Sequence, residues 1–392
     1  MDSGKGASFP GLSDDRMKIL HITLHYVDGW GYQDNLLPQS QVAAGHEVVV
    51  ATDSGHLPDG LRASILAKGN RYRDGGVLVR RFRTGFCTRD SALTCCGLAA
   101  ILEEEAPDLV FHHGLHLPTL IVASRYRKKH PASVLMVDSH ADPFNASRIR
   151  LWRWFYARGV LRLLVKRVGK WVDRFYGVTP LRCSFLETEY RVPSDKIALL
   201  PLAGAPGIFL DHTETDAQIR ASFSIPETAF LMVSGGKMGR NKGTDRIVEA
   251  WRQLKLRHPE VELLLFGSLE KDFQVPEGVH LVGWCDLKKT YSILKVADVA
   301  VWPLLHTTLV EDSLSCGTPV IVKDSGNVAH YKAVGAGVFL ERGDVAEIIR
   351  AVETILEEKD AFRDRLLAVK ERYSYASVAK QIEADYQSLR MK

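Results

Sequence analysis

The sequence predicts an α/β protein of two doubly wound domains facing each other across a cleft. Three observations carry this reading. Apolar runs of strand length alternate with helix-length segments, and the series restarts after Pro206. At 392 residues the chain is long for one α/β domain and comfortable for two of roughly 180 residues each.

The first series opens with Met17 to Leu24 (MKILHITL), a buried-strand pattern that runs into the loop Tyr26-Val27-Asp28-Gly29-Trp30-Gly31. A helix-length segment ends at Ala44-Gly45-His46, where glycine is a helix stop, and Glu47 to Thr52 is the next strand. Strand, helix and strand without a hairpin signal between them make a right-handed parallel βαβ unit. Further strands are expected at Val77–Phe82, Leu109–His112, Val134–Asp138, Asp173–Val178 and Ile197–Leu200. The second series has strands at Phe230–Ser234, Val261–Phe266, His280–Val282, Val299–Pro303 and Thr318–Val322, with a helix over Gly243–Leu256. The expected organisation is a loose leader over 1–16, a Rossmann-like domain over 17–205, a second over 206–374, and a helix in 375–392 returning to the first domain. Ligands of such sheets bind outside the carboxyl ends of the strands, which places both sets of loops in one cleft.

Composition excludes several classes. The 46% hydrophobic and 25% charged content is ordinary for a globular protein, and no apolar run approaches the ~18 residues of a membrane span. The net charge of +4 is too small to argue for nucleic acid. The six cysteines have neither disulfide-scaffold density nor metal spacing, so they read as buried thiols in a reducing, cytoplasmic compartment. The leader lacks the apolar core of a signal peptide.

The strongest local signal is Gly235-Gly236-Lys237-Met238-Gly239-Arg240-Asn241-Lys242-Gly243, directly after a strand and opening a helix. There, backbone N–H groups and a helix N-terminus can meet an anion, and Lys237 and Lys242 can both reach a diphosphate. The competing reading is a solvated basic loop. The stretch does not fit an ATPase P-loop, because Thr244 follows Gly243 and not the lysine. A second signal runs from Asp298 through Trp302, His306, Thr307, Glu311 and Asp312 to Cys316-Gly317-Thr318-Pro319. Together these stretches resemble the donor-binding domain of family 4 of the GT-B glycosyltransferases, and the likeness spans about residues 17–390.

That resemblance implies a retaining transferase that takes a sugar from a nucleotide-diphosphate donor, a UDP-sugar before a GDP-sugar. Lys237 stands where the family has its diphosphate-binding arginine, and Lys242 matches its second cation. Asp312 falls on the second glutamate of the Glu-x7-Glu motif, which binds the ribose hydroxyls, with Glu311 as a neighbour able to substitute. The first glutamate falls on Leu304 and is absent. His306 and Thr307 are the polar groups placed to compensate, and a polysaccharide-building subgroup is similar in carrying Trp-Pro-x-x-His there. In the first domain, Gly29 and Gly31 resemble the loop facing the donor phosphates, although turn glycines explain them equally well. His140, between Asp138 and Asp142, resembles the family's active-site histidine. His113 and His116, with His112, follow a strand and are candidate acceptor contacts together with Asp142. No acidic or cysteine partner shares their spacing, so a metal cluster is the weaker reading. No Asp-x-Asp occurs in the chain, so no metal and no other cofactor is expected, and the lysines supply the charge.

Ser147 to Arg174 holds nine basic residues against Asp173 alone, interleaved with Trp152, Trp154, Phe155, Tyr156 and Trp171. This pattern suits peripheral attachment to an anionic inner membrane face and a saccharide or polyprenyl-linked acceptor. An amphipathic helix packed on the first domain is the plain alternative, and nucleic acid is not an expected partner. Two other functions stay open: a sugar-nucleotide epimerase of the same architecture, and a non-catalytic sugar-nucleotide-binding protein.

Overall fold

A computed structural model describes residues 16–85, 94–141, 159–210 and 213–391. Among these, the first domain holds β1 (Lys18–Thr23), β2 (Glu47–Asp53), β3 (Arg71–Asp74), β4 (Val77–Gly85), β5 (Thr94–Cys96), β6 (Leu109–His112), β7 (Val134–Ser139), β8 (Arg174–Gly177) and β9 (Ile197–Leu199). Their order is β3-β4-β2-β1-β6-β7-β8-β9, with β5 on β4. The second sheet runs β12-β11-β10-β13-β14-β15, from β10 (Phe230–Met238), β11 (Val261–Leu269), β12 (His280–Gly283), β13 (Val299–Trp302), β14 (Val320–Lys323) and β15 (Gly337–Leu340). All pairings are parallel except those of β3 and β5 with β4. Helices cover both faces, so the central strands are buried on both sides and read as unbroken apolar runs such as Val48-Val49-Val50.

Three features depart from the sequence reading. A hairpin joins β3 to β4 through Gly75-Gly76, both at positive φ. β10 extends through the glycines to Met238 and pairs residue by residue with β11. The cysteines are also less enclosed than expected: Cys96 is exposed, and Cys95, Cys183, Cys285 and Cys316 are half-buried.

The chain crosses between domains twice at one place. Gly204 N donates to Tyr373 O (2.8 Å) and Tyr375 N donates to Gly204 O (2.9 Å). The helix Tyr375–Arg390, capped by the Ser374 hydroxyl, then lies on the first domain. It buries Val378, Ile382 and Tyr386 against Ile19, Leu36, Leu37 and Phe111. Each such aliphatic or aromatic side chain contributes about 1.5–3 kcal/mol by burial. Tyr176 donates to Asp385 (2.6 Å) on the same contact. On the cleft side the domains touch directly. A Cβ on Gly31 would stand 2.4 Å from Leu287 Cδ2 of the other domain, so a side chain at 31 would require Leu287 to move.

Candidate functional site

Between the carboxyl ends of the two sheets lies a cavity of about 450 Å³. The first domain lines it with Thr23, Gly31, Tyr32, Asp34, His116 and His140, and the second with Thr308 and Asp312. A larger hollow of about 770 Å³ sits among Asp298, Pro319 and Lys359, at the amino ends of the second sheet. Ligands of open parallel sheets bind at the other end, so the cleft cavity is the candidate site.

Below the first-domain wall is a buried polar chain. His113, at the end of β6, places Nδ1 3.1 Å from Asp138 Oδ2 and 3.4 Å from Asp34 Oδ1. Its Nε2 meets His21 Nδ1 at 3.0 Å, and His21 Nε2 meets Gln41 Oε1 at 2.6 Å. Asp138 also accepts from Gly114 N (2.8 Å) and Gln33 Nε2 (3.1 Å), and His140 Nε2 stands 3.6 Å away. Burial works to raise the Asp138 carboxyl, but His140 and His113 outweigh it and hold its pKa well below the usual carboxylate value. Burial works to lower His113, and Asp34 and Asp138 reverse the sign, so its pKa lies above the ordinary histidine value. His21, with no carboxylate against it, is pulled by burial and by His113 down to about 3. The core is thus a buried imidazole whose charged form two carboxylates favour, with a neutral imidazole behind it.

The three histidines of the 112–116 stretch go to separate partners. His112 bonds Gly114 O and the Thr119 hydroxyl (2.8 and 2.9 Å), whereas His116 lies beside His25 and is brought by burial to about 4. His113 is only 4% exposed and Asp138 not at all, whereas Asp34 keeps 17% of its side chain open. His140 is the open member, with its side chain 41% exposed. Asp142 lies outside the described residues.

In the second domain, Lys237 is exposed at the end of β10 and Lys242 closes the 3-10 turn Arg240–Lys242. Among the described residues neither lysine is ion-paired. Gly243 has φ +79°, and its Cβ would lie 2.9 Å from Pro303, so this turn admits glycine alone. Thr244 Oγ1 accepts from Gly239 N at 3.0 Å, tying the loop to the helix Thr244–Arg257. Gly236 abuts Leu309, which opens the helix Leu309–Cys316 carrying the acidic pair.

The two acids of that pair differ. Asp312 faces the cavity and accepts from Tyr291 OH (2.6 Å), which in turn accepts from Ala205 N (2.7 Å) at the crossing. Burial, with Glu311 adjacent, pushes Asp312 up to about 7. Glu311 has no exposed surface; its Oε1 meets His306 Nε2 (2.8 Å) and Tyr331 OH (2.5 Å), while Oε2 is buried without a partner. Burial acts to raise it too, but His306 and Tyr331 bring it below the usual glutamate value. His306 is therefore engaged inward with Glu311. Thr307 is half-buried, with its carbonyl accepting from Val310 N. Gly29 is exposed at the tip of the first loop, with open space around it. The sequence reading missed His21, Asp34 and Tyr291; the Gln33-Asp34 pair at the first helix start was the available signal.

Of the stretch 147–174, residues 159–174 are described. Leu164, Val165 and Val168 are buried in the first-domain core and Leu163 is 67% exposed. Among the described residues no helix is long and apolar enough to cross a membrane.

Residues 37–203 match the family "Glycosyltransferase Family 4", and residues 215–371 match "Glycosyl transferases group 1". Each domain thus matches a glycosyltransferase family model, and the two-domain α/β architecture is the GT-B fold. A curated relative is D-inositol 3-phosphate glycosyltransferase of an Arthrobacter species, 25% identical over 47% of this chain and 48% of its own length. The match therefore spans about half of that relative. Among solved structures, Anabaena HepE in complex with UDP has a TM-score of 0.68 at 14% identity, covering 95% of this chain and 100% of that one. UDP-GlcNAc 2-epimerase from Neisseria meningitidis, bound to UDP-GlcNAc, has a TM-score of 0.62 at 14% identity, over 95% and 100%. At these identities the structures share the fold.

Proposed function

We propose that this chain moves a sugar from a nucleotide-diphosphate donor, UDP-linked before GDP-linked, to a saccharide or polyprenyl-linked saccharide, retaining the anomeric configuration and using no metal. The supporting observation is the glycine–lysine turn at the carboxyl end of β10, packed against the segment that brings Asp312 into the cleft. Lys237 and Lys242 stabilise the leaving diphosphate as charge develops on it, the role a preorganised cation fills best. Asp312 accepts from the ribose hydroxyls. The acceptor hydroxyl attacks on the face the diphosphate leaves, and a diphosphate oxygen takes its proton. His140, braced by Asp138, orients the sugar. The bound UDP of HepE is in keeping with the donor class. The basic stretch 147–174 is proposed to hold the enzyme against an anionic membrane where lipid-linked acceptor is met.

Lys242→Ala is expected to cost about 2.7–4 kcal/mol of transition-state stabilisation, on the order of a hundredfold to a thousandfold in kcat. The wild type is expected to keep its activity in excess EDTA. Both are read by UDP release from a panel of UDP-sugars. Near-normal turnover in the variant sinks the phosphate role, and chelation loss restored by magnesium sinks metal independence. The epimerase neighbour defines the second reading, in which a UDP-sugar without acceptor is converted to its epimer and no UDP appears.

A further inference from the structure

We propose that Trp30 and Tyr32 form the stacking wall of a pyranose subsite at the mouth of the cleft, occupied by the acceptor saccharide. This rests on the transferase reading above and adds where and how the acceptor ring is held. Trp30 is 37% and Tyr32 53% exposed, in a T-shaped pair with centroids 5.4 Å apart. Large rings left in water lose the burial that normally stabilises them, so two side by side on one loop call for a ligand.

The loop that carries them is pinned on both sides. Trp30 N donates to Val27 O (3.2 Å), and Tyr32 O takes the N–H groups of Asn35 and Leu36 (2.9 Å each), opening the helix Gln33–Ala43. Asn35 Nδ2 reaches back to Val27 O at 2.8 Å. Asp28 accepts from Lys68 and Tyr72, both at 2.8 Å, and is approached by Arg81. Gly31 between the rings is set against Leu287 of the facing domain. The rings are thus presented from a fixed backbone and lose little freedom when a ligand arrives.

The polar side of the site matches the same ligand. A pyranose has an apolar C–H face and a rim of hydroxyls. Tyr32 lines the cavity that also contains Asp34, His116 and His140. Asp34 accepts from the Thr23 hydroxyl and has His113 Nδ1 3.4 Å away, so its carboxylate stays in place with lone pairs left for sugar hydroxyls. Aromatic walls with a few fixed polar groups are the usual make-up of a small-ligand site. The rings belong to the first domain, across the cleft from the lysines and Asp312, which favours the acceptor over the donor base.

The test compares wild type, the double variant Trp30→Ala/Tyr32→Ala and the double variant Trp30→Phe/Tyr32→Phe. The probes are methyl glycosides of glucose, galactose and mannose and free N-acetylglucosamine, read by saturation-transfer NMR, with UDP and GDP each read by thermal shift. Wild type is expected to bind at least one pyranose. The alanine variant is expected to lose about tenfold or more in affinity, the phenylalanine variant to stay within about threefold, and the UDP shift to be equal in all three. No pyranose bound by wild type, or equal binding by the alanine variant, overturns the proposal. Loss of the UDP shift along with pyranose binding also overturns it, because the rings then serve the donor. Pyranose binding lost in the alanine variant, with no UDP or GDP shift in any form, sinks the transferase reading and leaves the saccharide subsite standing.

Discussion

Asp138 and Asp312 are both buried, one in each domain, yet their surroundings set them at different protonation states. Asp138 has two imidazoles and a backbone N–H turned toward it, and stays ionised. Asp312 has one tyrosine hydroxyl and a neighbouring glutamate, and is pushed up to about 7. Desolvation opposes the charged form in both, so partners and not depth decide the outcome. The first domain therefore keeps an ionised carboxylate under its wall, while the second holds a carboxyl that changes state near neutrality.

The largest expected effect breaks the first half of this comparison. Asp138→Asn leaves the buried His113 with Asp34 as its one carboxylate and, with His113 charged, is expected to cost about 3–5 kcal/mol of stability at pH 7, read from denaturant midpoints. Asp138 contributes above the ordinary carboxylate value and is lost as pH falls, whereas His113 contributes below the ordinary histidine value and is lost as pH rises through its raised one. A penalty under about 1 kcal/mol would mean that the pair is not charged.

The second prediction addresses Asp312. Its folded pKa is raised, so between the ordinary aspartate value and about 7 the folded chain holds a proton the unfolded chain has released. Wild-type stability then falls as pH rises through that window. Asp312→Asn removes this slope, so its stability relative to wild type should rise by about 2–3 kcal/mol between pH 5 and pH 8. A constant difference across that range would show a carboxyl ionised throughout. The smallest effect sharpens the same point. Tyr291→Phe removes a hydroxyl that favours ionised Asp312 and satisfies Ala205 N. It should cost about 1 kcal/mol and move the Asp312 transition upward in pH. An unmoved transition would take Tyr291 out of the account.

Much of the architecture could be read from the sequence because strands buried on both faces appear as short apolar runs, as in Glu47–Thr52 and Phe230–Ser234. The hairpin at Gly75-Gly76 was overlooked despite its turn glycines, since β3 is a four-residue edge strand of Arg, Tyr, Arg and Asp with no apolar run. Lys237, Lys242, Glu311 and Asp312 could be picked out because they sit in contiguous motifs. The chain Gln41–His21–His113–Asp138 could not, because its contacts join residues 20, 92 and 25 apart. Nor does a sequence position disclose that His306 turns inward to Glu311, or that Asp312 sits under Tyr291.

The returning helix has a consequence for how the chain is made. Ile382 and Tyr386 fill the same apolar layer as Met17, Ile19 and Phe111. On the ribosome the first domain emerges first, but this layer stays open until residues 375–390 have been synthesised and have left the exit tunnel. The second domain, whose strands all lie between residues 230 and 340, can close its sheet earlier. The domain begun first is thus the one finished last, and a nascent chain halted near residue 370 would present an unfilled apolar surface to chaperones.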